Sequence, residues 1–470
     1  MAQIIAPSLR EHRESKSNKL AKGSLSALVV VLFASFIVLS MMGGGTIAFL
    51  SLIGIAICIT CLFRREVHID WWIFIPLAVY LIMNLISSWT THENIMRGYG
   101  CLHLIFLTLY AASCSLKTNE ANLLRCLCVL WAGIAAVVSV VAFTYQAFFV
   151  SPTRLEFVIG SPNGLGIFLV LSWFALQSCR MTEERGKIFT IVERFEPFIL
   201  VALAMTLSMG SVAALVVGLI VLFVSQGRST SWKQSAHFMV ALVGKVVLCL
   251  AIGFLMYMAA ERADAPILCI AILAYLVFMV ILWKRFGEFL ERSFKVALTI
   301  SILGLLCIPF ALFMRPSVLF TFSERLAMMA NGLGYLFVDP ITGVGAMQWK
   351  TLNLQDADPF FNTNHIHNVF IHVGVEFGLI AMISLIVIAV RVFIKRYREA
   401  QHGEDAAFLF HLLTDTGFYY VGIVSTFILT AGGSTTPTWR YDRQSYLPWH
   451  VRQEHCLPRS LHEKPHGRSR

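Results

Sequence analysis

Residues 197–225 read PFILVALAMTLSMGSVAALVVGLIVLFVS, an apolar run that small, flexible residues interrupt between Ser208 and Ser211. A helix needs about 17–25 apolar residues to cross the hydrocarbon layer of a membrane, and this run is longer. The interruption predicts two short helices that fold back as a hairpin, with one long tilted helix as the alternative. Broken helices are tolerated in membranes where their backbone is buried in protein or lines a watery cavity.

Composition indicates that lipid solvates most of the chain. Of its 470 residues, 57% are hydrophobic and 14% are charged, and the mean hydropathy is +0.73. In soluble domains about a quarter of all residues are charged, so a water-soluble chain of this composition could not cover its apolar surface. The net charge of +10 comes from short basic clusters between apolar runs, a pattern that governs topology and gives no nucleic-acid footprint. Membrane lipids are therefore expected partners, and nucleic acid is not.

The apolar runs predict an all-α fold, a polytopic integral membrane protein with about 12–14 transmembrane helices. The first run follows a basic N-terminus and leads almost directly into a second run, which favours a retained span over a cleaved signal peptide. The predicted spans cover residues 24–42, 46–63, 71–88, 99–115, 124–149, 160–178, 197–225, 236–259, 265–283, 294–314, 366–390 and 408–431.

The charges of the loops test this count, because basic loops of membrane proteins tend to stay in the cytoplasm. If residues 197–225 cross only once, the basic clusters at 284–295 and 391–398 face outward, whereas two crossings return both to the cytoplasm. We therefore expect the hairpin and a cytoplasmic N-terminus.

This topology divides the chain into five parts. The long loop is expected to hold an amphipathic helix from Ser323 to Phe337, and long ordered loops are often functional. The basic tail lies outside the cytoplasm in this count, a conflict that one further terminal crossing would resolve. The parts are a basic cytoplasmic N-terminus at 1–23, a transmembrane helical domain at 24–314, a large periplasmic loop at 315–365, C-terminal transmembrane helices at 366–431 and a polar, disordered tail at 432–470.

Histidines mark the end of the long loop. His365 and His367 come just before a predicted span, and His372 lies inside it. Ionisable residues at a membrane boundary are functional candidates, and His367 has the chemistry of a general base. On a helix, His367 and His372 would lie about 140° apart, so no metal site is expected from this spacing. Interfacial histidines that only cap a helix remain the alternative.

Three motifs lie in the second half of the chain. The first is Gly343-Val-Gly345, the second is His367-Asn368, and the third is Glu376-Phe-Gly378-Leu, with ten residues between His367 and Gly378. Together they resemble the family of O-antigen ligases and Wzy-type O-antigen and exopolysaccharide polymerases. Upstream, Arg325 resembles the arginine that this family carries at the start of the same loop, and Arg154 followed by Asn163 resembles its arginine-to-asparagine segment entering a span.

The resemblance implies a metal-independent, cofactor-free glycosyltransferase of the bacterial inner membrane that uses undecaprenyl-diphosphate-linked glycans at the periplasmic face. It implies that His367 is catalytic, that Arg325 and Arg154 bind the diphosphate, and that substrate binding extends to Asn163, Asn368 and Glu376. One departure concerns residues 208–211, where the family usually places an arginine beside the serine and this chain has none.

The implied reaction is most simply the polymerisation of lipid-linked repeat units, with other polysaccharide assembly proteins as further partners. A ligase that transfers the glycan to lipid A-core or to a protein would share the site, and the sequence does not reveal the acceptor. A polysaccharide transporter or flippase is the alternative from another class. A transporter should carry charged residues within several spans, whereas polar residues are concentrated here in one loop.

Overall fold

The computed structural model describes residues 26–41, 47–64, 67–90, 99–150, 154–156, 159–181, 187–229, 231–261, 265–313, 317–356, 361–397 and 403–431. The predicted N-terminal part at 1–23 and the predicted tail at 432–470 lie outside them. The described residues are mostly helical and contain no strand. The prediction of an all-α, polytopic membrane protein is confirmed.

The helices follow one another with short connections, except in the long loop. In chain order they are α1 (Ala27–Met41), α2 (Ile47–Leu62), α3 (Trp71–Thr90), α4 (Tyr99–Cys114), α5 (Thr118–Gln146), α6 (Pro162–Met181), α7 (Lys187–Val192), α8 (Glu196–Met205), α9 (Met209–Ser229), α10 (Trp232–Glu261), α11 (Pro266–Arg292), α12 (Phe294–Phe313), α13 (Ser317–Tyr335), α14 (Gln348–Asp356), α15 (Val369–Tyr397), α16 (Gly403–Thr414) and α17 (Val421–Ala431).

Seven helices of the described part are long and apolar enough to cross a membrane, namely α3, α5, α6, α9, α10, α11 and α15. Five shorter apolar segments accompany them, in α1, α2, α4, α12 and α17. Helix α6 lies at the centre of the bundle. Of its 18-residue apolar stretch, 89% is buried inside the protein, whereas the corresponding share for α11 is 22%.

The run at 197–225 is broken, as its central residues predict. Helix α8 ends at Met205 and α9 begins at Met209, and Leu207 between them has a φ of 50°. The two helices run in opposite directions along α6. Helix α8 begins where Glu196 pairs with Arg180 near the end of α6, and α9 begins where Ser211 contacts Asn163 at the start of α6.

A buried carboxylate fixes the start of α8. Glu196 is fully buried and accepts hydrogen bonds from the guanidinium of Arg180, the amide of Gln177 and the indoles of Trp173 and Trp283. A buried charge is tolerated when it is paired and fully hydrogen-bonded. These donors join α8 to α6 and α11 and hold its first turn inside the bundle.

The predicted single span at 408–431 is wrong, because two antiparallel helices occupy this region. The connection between α16 and α17 contains Asp415, Thr416 and Gly417, which interrupt the apolar run. Gly403 at the start of α16 packs against Gly218, halfway along α9. The start of α16 lies beside the end of α17, since Thr430 donates its hydroxyl hydrogen to Glu404.

The end of α17 lies far from the long loop. The Thr430 carbonyl accepts a hydrogen bond from Nε of Arg125, in the second turn of α5, at 2.7 Å, so the described chain finishes at the end of the bundle remote from the long loop. The side of the membrane on which the basic tail lies remains a prediction.

The long loop is docked against a break in α15. Gly378 leaves the helical conformation with a φ of 85°, and the carbonyl of Pro340 accepts a hydrogen bond from the backbone N–H of Leu379 at 2.8 Å. The Gly345 N–H donates to the carbonyl of Glu376 at 3.1 Å. The glycine motif of the loop and the glycine motif of the span thus meet at one backbone junction.

The amphipathic helix of the loop is longer at its start than predicted. Helix α13 begins at Ser317 and ends at Tyr335, so Ser323 lies inside it and not at its N-cap. The Ser323 hydroxyl donates to the carbonyl of Phe320 within the helix at 2.8 Å, a back-bond typical of serines in helix interiors.

Candidate functional site

Three charged or titratable side chains from distant parts of the chain meet at the loop end of the bundle. Arg325 on α13 places Nη2 3.1 Å from Oδ2 of Asp415, and its Nη1 donates to the carbonyl of Thr414 at 2.7 Å. Nδ1 of His367 lies 3.4 Å from Oδ1 of the same aspartate. We call Arg325, His367 and Asp415 the central triad. The loop, the start of α15 and the α16–α17 connection each supply one member.

Asp415 is held firmly by its own connection. Its backbone N–H donates to the carbonyl of His411 at 2.8 Å, and its Oδ1 accepts from the N–H of Thr416 at 2.8 Å. Burial alone would raise the pKa of the Asp415 carboxyl, but the contact with His367 and the nearby His411 and Arg325 outweigh this and hold the pKa below its ordinary value. The carboxylate is therefore ionised between the two basic groups.

The break between α8 and α9 lies directly against the central triad. A Cβ on Gly210 would sit 3.2 Å from Oδ2 of Asp415 and 3.6 Å from Nη1 of Arg325. Residues 208–211 carry no arginine of their own, but α13 brings the guanidinium of Arg325 close to Gly210. Because the N-terminus of a helix carries partial positive charge, the start of α9 adds to the positive potential there.

A second arginine reaches the same break from its other side. Nε of Arg154 donates to the carbonyl of Thr206 at 2.9 Å, and Nη2 donates to Oδ1 of Asn163 at 2.9 Å. Ser211 donates to the Asn163 carbonyl at 3.3 Å, and its Oγ lies 2.9 Å from that of Ser208. The structure thus joins Arg154 and Asn163, which the sequence singles out, to the broken helix.

Asn368 caps α15 and connects it to α16. Its Oδ1 accepts from the N–H of Ile371 at 3.1 Å, as expected of an asparagine at a helix start. Its Nδ2 donates to the carbonyl of Leu413 at 3.3 Å, two residues before Asp415. Asn368 therefore sets the distance between His367 and the carboxylate, a positioning role beyond the predicted contact with substrate.

Glu376 is directed into the protein. Its side chain is fully buried, and Oε2 lies 3.3 Å from Nε2 of His372. Its backbone carbonyl accepts from the hydroxyl of Ser87 at 2.7 Å as well as from Gly345. These contacts give Glu376 a part in joining the loop, α3 and α15. They do not place its carboxylate in the central triad.

His365 belongs to a buried aromatic stack beside the triad. Its ring lies 4.4 Å from the ring of Tyr419 at an interplanar angle of 13°, and its Nδ1 lies 3.4 Å from Nε2 of His372. Burial, together with the charges of His372 and other basic neighbours, lowers the pKa of His365 to about 2. His365 is thus neutral at physiological pH. In the part of the chain that the structure describes, no group of three His, Cys, Asp or Glu side chains is placed to hold a metal ion.

Sequence reasoning missed Asp415 and His411. Both lie inside a run that was interpreted as one apolar span, and both are almost fully buried. The missed signal was present in the sequence, because an acidic residue within an apolar run is a functional candidate by default. Neither ring nitrogen of His411 has a hydrogen-bond partner among the described residues, and His411 lies close enough to Asp415 to help lower the pKa of its carboxyl.

No protein-family model matches the chain, and no curated protein sequence matches it. The function must therefore be inferred from the geometry of the site and from the motifs. That geometry offers two guanidinium groups for an anion and one imidazole beside a carboxylate for proton transfer.

Proposed function

We propose that the chain is a membrane glycosyltransferase that takes its glycan from undecaprenyl diphosphate at the periplasmic face of the bacterial inner membrane. The observation that carries the proposal is the convergence of Arg325 and His367 on Asp415, beside the break at Gly210. This reaction needs a cationic site for a diphosphate leaving group and a base for an incoming hydroxyl, and it needs both at membrane depth.

Arg325 and Arg154 supply the cationic site. Arginine makes forked hydrogen bonds to phosphate oxygens and keeps its charge in apolar surroundings. Nε of Arg325 is buried and has no hydrogen-bond partner among the described residues; because buried donors normally have a partner, this unsatisfied donor favours a bound acceptor such as a phosphate oxygen. Arg154, bound to Thr206 and Asn163, adds charge from the opposite side of the helix break and fixes its geometry.

The base is His367, oriented by Asp415. Its Nδ1 faces the carboxylate, which leaves Nε2 to accept the proton of the acceptor hydroxyl, as in other carboxylate–imidazole pairs. The hydroxyl oxygen attacks the anomeric carbon, and the bond from that carbon to the diphosphate oxygen breaks. The diphosphate departs with the electron pair, and the arginines stabilise its developing charge. This displacement inverts the anomeric configuration, uses no covalent enzyme intermediate and is metal-independent.

A polymerase is the favoured form of this activity, because the chain carries no recognisable feature specific to a lipid A-core acceptor. A ligase would use the same triad with another acceptor. A transporter or flippase draws support from Glu404 and Asp405, which are buried at the start of α16, since charges inside a bundle often mark transport pathways.

Glycan analysis of a deletion strain tests the proposal. The strain is complemented with wild type or with His367→Ala, and its cell-surface and lipid-linked glycans are separated on a gel. Loss of long chains with single repeat units retained supports a polymerase, and long chains accumulating on the lipid carrier support a ligase. His367→Ala should fail to complement at normal membrane abundance, whereas an unchanged profile after deletion would overturn the proposal.

A further inference from the structure

Helix α13 carries a continuous apolar surface that the other described residues leave uncovered. Phe322, Leu326 and Leu333 lie within about 40° of one another around the helix axis, and each is about half exposed or more. The surface continues through the turn after the helix. We call Phe322, Leu326, Leu333, Phe337, Val338 and Ile341 the apolar stripe; all six are exposed.

The other two faces of α13 have different characters. Arg325, Met328 and Gly332 face the protein, where Met328 is buried and Gly332 packs against Ile366. The third face, centred on Ala327 about 120° from the stripe, carries small and polar residues after Phe320, which is exposed near the start of the helix. A helix with one face on protein, one apolar face and one polar face suits the boundary between bilayer and water.

Both ends of α13 are tied to membrane helices, which restricts its depth. Three residues separate the end of α12 at Phe313 from Ser317, a path of at most about 14 Å. After the helix, Pro340 is hydrogen-bonded to Leu379 at the break of α15. In the middle, Arg325 contacts the first turn of α9. The helix therefore lies along the ends of spanning helices and cannot stand away from them.

The apolar stripe is continuous with a surface that already faces lipid. A Cβ on Gly378 would lie 2.1 Å from the carbonyl oxygen of Ile341, so the last residue of the stripe adjoins α15 at its break. Beyond the break, the spanning part of α15 exposes Ile380 and Ile383. An uncovered apolar surface of this extent marks a lipid or protein contact, and its continuity with a spanning helix favours lipid.

We infer that α13 is an interfacial helix whose apolar stripe is embedded in the acyl-chain region of the outer-facing leaflet. The neighbouring face of the helix then holds Arg325 at the depth of the lipid headgroups. The inference concerns the bilayer as the partner of α13, and it stands or falls independently of the proposed glycosyl transfer.

Photo-crosslinking in vesicles tests this placement. The photoreactive analogue p-benzoylphenylalanine replaces Phe322, Leu326, Leu333 or Phe337 in the full chain, which is reconstituted in phosphatidylethanolamine–phosphatidylglycerol vesicles and irradiated. Ser323 and Ala327, on the polar face, are the matched control positions. Intact-mass analysis should show several-fold more lipid adduct at the stripe positions than at the controls. Equal adducts at both sets, or crosslinks from the stripe to a second copy or another protein, would overturn the inference.

Hydroxyl-radical footprinting of the wild-type protein in the same vesicles requires no substitution. Phe322 and Phe337 are 59% and 71% exposed among the described residues, so shielding of both in vesicles would agree with a lipid contact, which the crosslinking separates from a protein contact. Both should remain unmodified, and oxidation of both at the rate of water-exposed aromatic side chains would contradict the placement.

Discussion

Nη2 of Arg325 lies 3.1 Å from Oδ2 of Asp415, which joins the long loop to the connection between the last two described helices. Both groups lie beside Gly210 at the start of α9. A single polar site therefore forms at one end of the apolar bundle. It is built from the break between α8 and α9, the loop helix α13 and the hairpin of α16 and α17. The charge of Arg325 is balanced by a residue that also faces His367, so the anion site and the base are coupled.

Substitution of Asp415 should impair transfer as severely as substitution of His367. We expect Asp415→Asn and His367→Ala each to lower the rate of glycan transfer in proteoliposomes by about 10²–10⁴-fold, the usual contribution of a positioned base. The double variant should be little slower than either single variant, because residues that act as a unit are not additive.

The matched control for Asp415→Asn is Glu156→Gln, which removes an exposed carboxylate at the same end of the bundle. Glu156→Gln should retain the wild-type rate. Multiplicative losses in the double variant would show that His367 acts without Asp415.

Replacement of Gly378 should undock the long loop. Its φ of 85° is one that L-residues rarely adopt, and a Cβ would collide with the Ile341 carbonyl oxygen at 2.1 Å. Gly378→Ala should therefore cost more than the roughly 1–3 kcal/mol of a backbone conformation that is essentially restricted to glycine and should lower the midpoint of thermal unfolding measured in detergent.

Gly334→Ala provides the contrast on α13, because a Cβ there meets nothing within 4 Å. Replacing a helical glycine with alanine should stabilise by up to about 1 kcal/mol. Equal thermal midpoints for the two variants would refute the account of the junction at Gly378.

The buried carboxylate at the start of α8 should be essential for stability. Glu196→Gln leaves Arg180 inside the bundle without its fully buried partner, a type of change that typically costs about 3–5 kcal/mol. Glu193→Gln removes a partly exposed partner of the same arginine and should cost under about 1 kcal/mol. Thermal midpoints of the purified variants separate the two, and a larger loss for Glu193→Gln would be inconsistent with this network.

Stability should fall as the pH drops below about 6.5, in part because of His365. Its folded-state pKa of about 2 is below the ordinary histidine value of about 6.5, so between these values the unfolded chain binds a proton that the folded chain excludes. The loss amounts to about 1.4 kcal/mol per pH unit below 6.5. His365→Phe, which can retain the stack on Tyr419, should lose less thermal stability between pH 7.5 and pH 5.0 than wild type. An identical loss in both proteins would indicate that His365 is accessible to protons.

The fold was largely predictable because its signals are local. Runs of apolar residues predict the helices, and the small residues at 208–211 predict the break in the apolar run at 197–225. The hairpin at 403–431 was missed because its legs are short, at 12 and 11 residues, and read together as one span.

The site was predictable residue by residue but not as an assembly. The motifs identified Arg325, His367, Asn368, Arg154 and Asn163, yet the contacts among them depend on three-dimensional packing that no spacing encodes. Asp415 completes the central triad from an apolar region without a motif. Glu376 was a predicted substrate-binding residue, but its buried carboxylate faces His372 and lies outside the central triad.

The central claim is that the triad transfers a glycan from a lipid diphosphate, and a reconstituted assay tests it most directly. Wild type and Arg325→Gln are placed in proteoliposomes with an undecaprenyl-diphosphate-linked repeat unit, and the release of undecaprenyl diphosphate is measured together with glycan length. The account predicts coupled release and elongation by wild type, slowed about 10²-fold or more in Arg325→Gln, as for loss of a transition-state charge partner. Equal rates in the two proteins, or no release by monodisperse, folded wild type, would contradict it.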